Sequence, residues 1–207
     1  PEILIISDEI YELINFTKEH HSIAEFEEIR DRVIIVNGLS KGFAMTGWRV
    51  GYSVSSKIIA KTIEKIQGQM TGGINDIAQM AALKALSVDP EDCHELIEMK
   101  ESFRKRRNFM VKALSEIPGI KPNNPEGAFY INVKLPIENS EDFIIWMLKE
   151  FQIDNETVMA APGDGFYATE GLGKNELRLA YILCQEDLKK AMSIFAKGLA
   201  TYQRIHK

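Results

Sequence analysis

Cysteine is scarce in this 207-residue chain: Cys93 and Cys184 are the only two, far apart and in no CxxC pair. That rules out a disulfide-stapled scaffold, and isolated thiols suit a reducing cytoplasm. The four histidines (His20, His21, His94, His206) do not group with cysteines or acids in metal-ligand spacing, so no metal site is expected. There is no apolar run of about 18 residues, so no membrane-spanning helix is expected. No basic stretch followed by a long apolar one marks a secretory leader. There is no excess of basic residues either. Lys and Arg number 25 against 30 Asp and Glu, a net charge of −5 that offers nothing to nucleic acid or an anionic membrane. An initiator Met is also missing, and the chain opens almost inside an apolar run, so a fragment or excised domain is expected.

What is present is hydrophobic patterning on a scale that supports real cores: 45% of residues are hydrophobic and 27% charged. Ile3-Leu4-Ile5-Ile6 and Val33-Ile34-Ile35-Val36 are continuous β-rich runs. Runs apolar on both faces predict strands of a parallel sheet covered on both sides. Trp48 to Val54 reads as a third strand. Helical patterns follow over 57–67 and 76–86, split by Gly72-Gly73. Asp89-Pro90-Glu91 has the signals of a helix start: an N-cap, Pro at the first position and an early acid. The helix it opens runs to about Leu114, long enough to bridge two domains. Beyond it come a strand (128–133), a helix (140–151), short strands (158–161 and 177–182) and a closing amphipathic helix (185–202). That mixture predicts a smaller α+β domain. No internal repeat or low-complexity tract is present.

The chemistry concentrates in Ser40-Lys41-Gly42-Phe43-Ala44-Met45-Thr46-Gly47-Trp48-Arg49-Val50-Gly51. A lysine just past a buried strand loses its charge readily and becomes a nucleophile toward carbonyls. An arginine eight residues on offers a planar fork that matches phosphate. Each residue taken alone also has a plainer reading, as a loop lysine and a salt-bridged arginine. Asp8 follows the first strand, and ligands gather at the carboxyl ends of strands in open α/β sheets; as a turn or cap acid it needs no ligand.

Taken together, Gly38-Leu39-Ser40-Lys41, Ala44-Met45, Gly47 and Arg49-Val50-Gly51 resemble the pyridoxal-phosphate attachment signature of class I aminotransferases. Asp8-Glu9-Ile10-Tyr11 resembles that family's Asp-x-x-Tyr segment. Pro125-Glu126-Gly127-Ala128-Phe129-Tyr130 is similar to its P-x-G-A-F-Y strand. Pro162-Gly163 to Phe166 and Asn175-Glu176-Leu177-Arg178-Leu179 resemble the segment that carries its substrate-binding arginine. The four motifs run in family order along the whole chain. One position departs: many relatives have Ser where this chain has Gly38.

The resemblance implies an α/β fold, with residues 1–90 the closing portion of a large pyridoxal-phosphate domain on a mostly parallel sheet and 91–207 a small α+β domain. It implies the C-terminal half of such an enzyme, inactive by itself, with the phosphate loop and the aromatic stacked on the cofactor in the other half. The implied roles are Lys41 as the cofactor-bearing and proton-shuttling lysine, Asp8 facing the pyridine nitrogen, Tyr11 bonding the phenolic oxygen, Arg49 holding the phosphate, and Arg178 gripping the substrate α-carboxylate. The implied activity is transfer of an amino group between an amino acid, aspartate or similar, and a 2-oxo acid, in a cytoplasmic homodimer. A lyase or synthase on the same scaffold, or the sensor domain of a transcription regulator, would keep the same motifs. Two further features get plain expectations: Arg104-Lys105-Arg106-Arg107 as a solvated basic helix face, and His20-His21 as a solvated loop.

Overall fold

The computed structural model describes residues 3–17 and 19–206. They divide into two compact units, Pro1–Lys100 and Glu101–Lys207. The sheet of the first unit has the order β1 (Ile5–Asp8), β2 (Val33–Gly38), β3 (Gly51–Ser55). β1 and β2 are parallel, with Asp8 opposite Val36, whereas β3 runs antiparallel to β2, with Gly51 opposite Gly38. Parallel neighbours need a long crossover, supplied by residues 9–32, and the β2–β3 connection is the lysine segment itself. The third strand starts later than its pattern suggested. Thr46–Trp48 form a 3-10 turn and Arg49 has left-handed backbone, so the ladder begins only at Gly51.

Side chains alternate across this sheet. Val33, Ile35 and Asn37 are buried on one face, along with Ile14 and Leu39 elsewhere in the unit. The other face carries Ile6, Asp8, Ile34 and Val36 and is open: Ile6 is 70% exposed and Val36 39%. Cover on both faces was the expectation; the described chain supplies it on one. Two helices follow, α1 (Lys57–Thr71) and α2 (Asp76–Leu86), the latter capped by Asn75 Oδ1 accepting from the Ala78 amide at 3.0 Å.

The helix expected from Asp89 starts later, as α3 (His94–Ser115). Asp89 spends its side chain on the Glu91 amide, 2.9 Å away, and its carbonyl on the Asp92 amide, which closes a turn rather than opening a helix. The expected solvated basic face also fails in part. Arg107 is buried and its Nη1 donates to the Pro125 carbonyl at 2.6 Å, while Arg106 Nη1 donates to the Ile182 carbonyl at 2.8 Å. Only the tertiary fold brings those distant carbonyls to a helix surface.

In the second unit β4 (Tyr130–Lys134), β6 (Glu176–Ala180) and β5 (Ala161–Pro162) form an antiparallel sheet in that order. α4 (Ser140–Lys149) and α5 (Gln185–Ile205) complete the unit. Asn139 caps α4 by accepting from the Glu141 amide at 2.9 Å. Phe143 on α4 and Phe195 on α5 are fully buried and meet edge to face, with centroids 5.9 Å apart; Tyr202 lies 5.2 Å from Phe143.

A buried carboxylate closes β1. Glu9 is 7% exposed, and its amide donates to the Val36 carbonyl at 2.9 Å. Its Oε1 accepts from Ser7 Oγ at 3.2 Å and Ser22 Oγ at 2.8 Å, and its Oε2 lies 3.1 Å from His20 Nε2. His20 lies in an exposed loop, as expected, but its ring is tied to Glu9. Burial alone would push the Glu9 carboxyl up, but the hydrogen bonds from His20, Ser22 and Ser7 and the field of His20 together outweigh it and leave the pKa lowered.

Two outcomes are expected. Phe143→Ala leaves a cavity in the α4–α5 core and costs about 3–5 kcal/mol, read as a drop in the thermal midpoint by calorimetry. Because the folded Glu9 carboxyl titrates below its ordinary 4.5, its stabilisation is complete above about that pH and is lost as the pH falls through the folded value. Denaturation midpoints measured from pH 7 to 3 should therefore fall less steeply in acid for His20→Leu than for the parent chain.

Candidate active site

Parallel pairing places the carboxyl ends of β1 and β2 at one edge of the first sheet. The antiparallel β3 begins at that same edge. Asp8 is the last residue of β1, Lys41 lies three residues past Gly38 at the end of β2, and Arg49 lies two residues before β3. One end of the sheet thus collects two segments: the end of β1 with the Asp8 carboxylate, and the β2–β3 loop that carries both the Lys41 amine and the Arg49 guanidinium. Tyr11 joins them from the turn after Asp8, where its carbonyl accepts from the Ile14 amide at 2.9 Å.

The lysine segment is a tight loop wound around Leu39. The Leu39 carbonyl accepts from the amides of both Phe43 and Met45 at 3.2 Å, while the Leu39 side chain is 1% exposed. Lys41 is half-buried on this anchored loop. Small residues are required here for geometric reasons. A Cβ on Gly42 would fall 2.8 Å from Leu13 Cδ1, so only glycine lets the lysine loop lie against the loop that follows Asp8. A Cβ on Gly38 would stand 3.0 Å from both Gly51 Cα and the Val50 carbonyl. Gly38 thus lies in close approach to the start of β3.

Strain gathers in the same loop. Ala44 and Arg49 hold φ of 52° and 55°, left-handed values that cost a non-glycine residue on the order of 1 kcal/mol or more. Arg49 is exposed and its Nη1 donates to the Thr46 carbonyl at 3.2 Å, so the backbone bend and the side chain are tied together. Asp8 is exposed on the open sheet face, and its Oδ1 accepts from the Ile10 amide at 3.2 Å, the contact of the plainer turn-acid reading.

The second unit carries Arg178, in the middle of β6 opposite Asn132 of β4 and Ala161 of β5. Leu177 and Leu179 on either side are buried on the other face. The guanidinium carbon lies 4.5 Å from the Tyr130 ring centroid and 4.3 Å from that of Phe166. Two aromatic faces therefore hold the planar fork, an arrangement specific to arginine. Phe166 is delivered by the turn at Gly163, whose amide donates to the Glu176 carbonyl at 2.8 Å; a Cβ there would meet Glu176 Cβ at 2.7 Å. Tyr130 is delivered by the Pro125–Phe129 segment, pinned by Arg107 at the Pro125 carbonyl and by the buried Tyr181 hydroxyl, which donates to the Ala128 carbonyl at 3.1 Å. Burial pushes the Tyr181 phenol up to about 12.

Sequence reasoning gave no role to Glu9, the residue after Asp8, or to His20, eleven residues further on. Glu9, Glu12 and His20 bring donor atoms within 4.8 Å of one another, a grouping the scattered histidines did not suggest. Both Glu9 oxygens already accept hydrogen bonds from Ser7, Ser22 and His20. The nearest usable signal was local: an acid directly after a strand's last residue alternates onto the buried face and needs donors there.

The donor set fits one group. An amine suits an aldehyde, a carboxylate a ring nitrogen, a phenol a phenolate and a guanidinium a phosphate; together these are the functional groups of pyridoxal phosphate.

Comparison with known proteins agrees. Residues 1–195 match the family described as aminotransferase class I and II, whose members depend on pyridoxal phosphate. The bifunctional aspartate aminotransferase and glutamate/aspartate-prephenate aminotransferase of Petunia hybrida is 37% identical over 97% of this chain and 43% of its own length. The crystal structure of an aspartate aminotransferase from Thermotoga maritima superposes with a TM-score of 0.80 at 38% identity, over 95% of this chain and 48% of that one. An aromatic aminotransferase from Pyrococcus horikoshii gives 0.84 at 33% identity, over 97% and 52%. The chain thus spans about half the length of the relatives it matches. On the match along nearly all of its length and the shared fold, it belongs to the class I and II aminotransferases.

Proposed function

We propose that the protein containing this chain is a pyridoxal-phosphate aminotransferase that moves an amino group between an amino acid, aspartate or a close analogue, and a 2-oxo acid. The observation that supports this reading is the sheet register, which brings the end of β1 at Asp8 and the β2–β3 loop bearing Lys41 and Arg49 to the same end of the sheet. The bound cofactor supplies an electron sink for the substrate's α-carbon. Lys41 Nζ would hold the cofactor at its aldehyde carbon and would move the proton at the substrate's α-carbon. Asp8 would face the ring nitrogen with a negative charge and favour its protonated form. Tyr11 would donate to the phenolic oxygen, and Arg49 would hold the phosphate. Arg178 binds the substrate α-carboxylate with both arms of its fork, fixing the α-hydrogen for removal. Aspartate as donor follows the names of the Petunia and Thermotoga relatives.

We further propose that residues 1–90 belong to the large cofactor domain and 91–207 to the small one, and that the intact protein works as a homodimer in the cytoplasm. The free thiols of Cys93 and Cys184 support a reducing compartment. Among the described residues no helix is long and apolar enough to cross a membrane.

The full-length holoprotein, reduced with borohydride, digested and mapped by mass spectrometry, should carry the cofactor on Lys41. Label on another lysine overturns the assignment. Lys41→Ala should lower turnover by roughly 10²- to 10⁴-fold, the range for a positioned proton-transfer group. Arg178→Gln should raise KM for amino and oxo acid alike by on the order of 10- to 100-fold, the loss of a charged hydrogen bond. Turnover that needs no oxo acid would mark a lyase instead.

A further inference from the structure

We infer that Glu9, held by His20 and Ser22, is a positioning residue that aims the Asp8 carboxylate. The inference rests on the reading of Asp8 as the partner of the cofactor's ring nitrogen and extends it to groups that touch neither cofactor nor substrate.

Adjacent residues in a strand point to opposite faces. Asp8 stands on the open face of the sheet, so Glu9 turns to the buried one. The peptide between them is the last rung of the parallel ladder. Its amide donates to the Val36 carbonyl at 2.9 Å, and the Glu9 carbonyl accepts from the Glu12 amide at 3.0 Å. Beyond that rung the backbone leaves the sheet. The Asp8 Oδ1 accepts from the Ile10 amide at 3.2 Å, so the direction of its carboxylate depends on what restrains the Glu9–Ile10 backbone.

The Glu9 side chain supplies that restraint. Its two oxygens accept from Ser7, Ser22 and His20 at 3.2, 2.8 and 3.1 Å. Ser7 lies on the same strand and face, two residues back. Ser22 and His20 come from the crossover to β2. Ser22 is itself fixed by a reciprocal capping box: its Oγ accepts from the Ala24 amide at 3.2 Å, and Glu25 Oε1 accepts from the Ser22 amide at 3.0 Å. The crossover thus reaches back and clamps the strand end on the face opposite to Asp8. A side chain needed only to fill space there would not require a charge surrounded by donors, since burying an ion without partners is costly. Rotation of the Glu9 peptide would break these bonds, so the clamp holds Asp8 in one direction.

The test uses the full-length holoprotein. Glu9→Gln keeps the shape but removes the charge. His20→Gln keeps a donor, whereas His20→Leu removes it. Three quantities are read: the pH midpoint of the bound cofactor's visible absorbance, kcat and KM, and the thermal midpoint. Expected are a displaced absorbance midpoint and a roughly 10-fold fall in kcat with little change in KM for Glu9→Gln and His20→Leu, with wild-type behaviour restored in His20→Gln. Should the first two variants melt lower yet keep the parent's absorbance midpoint and kcat, the network serves stability alone and the inference fails. If Glu9→Gln does not fold, the His20 pair decides by the same criteria. Asp8→Asn separates the layers: if it leaves absorbance and turnover unchanged, the role given to Asp8 is wrong; if it abolishes both while Glu9→Gln and His20→Leu match wild type, only the positioning role is.

Discussion

The parallel pairing of β1 with β2 is the constraint from which the rest of the first unit follows. With Asp8 opposite Val36, two strand ends terminate together, and whatever follows them in sequence is delivered to one edge. A slip of one residue would put Asp8 on the buried face and Glu9 on the open one, because side chains alternate with a period of two. The register is held from the buried side by Val33, Ile35 and Asn37 and at its end by the Glu9 amide on the Val36 carbonyl. Chemistry at the edge is thus set by packing on the face that carries none of it.

The loop carrying Lys41 shows the same separation of tasks. Leu39 anchors the turn through its side chain and its carbonyl, Gly42 allows contact with Leu13, and Gly38 and Gly51 allow two strands to approach closely. None of these residues has a reactive group. Left-handed backbone at Ala44 and Arg49 is tolerated because its surroundings over-determine it, a pattern common near functional sites. In the second unit the equivalent arrangement is aromatic: Tyr130 and Phe166 hold the Arg178 plane, each delivered by a segment that distant hydrogen bonds pin in place.

One face of the first sheet remains open, with Ile6 and Val36 exposed, and the chain spans about half the length of its relatives. Apolar side chains on both faces of β1 and β2 make sense only for strands covered on both sides. The activity proposed above therefore concerns the whole protein, to which this chain contributes the β1 end at Asp8 and the Lys41 loop.

Much was legible in the residues themselves. The β-rich runs, the limits of α2, the Lys41 segment and the four ordered motifs are local patterns, and local patterns survive folding when packing agrees with them. The boundaries that moved did so where a local signal had two outlets: Asp89 capped a turn instead of a helix, and the third strand waited for Gly51 because Arg49 bends the chain first. Tertiary structure alone decided that β3 is antiparallel, that Arg106 and Arg107 reach remote carbonyls instead of water, that Arg178 lies between two rings, and that His20 meets Glu9. All four depend on which distant segments arrive at the same place. Spacing along a chain carries no direct record of that, because it is fixed by the competition among all the apolar surfaces for burial.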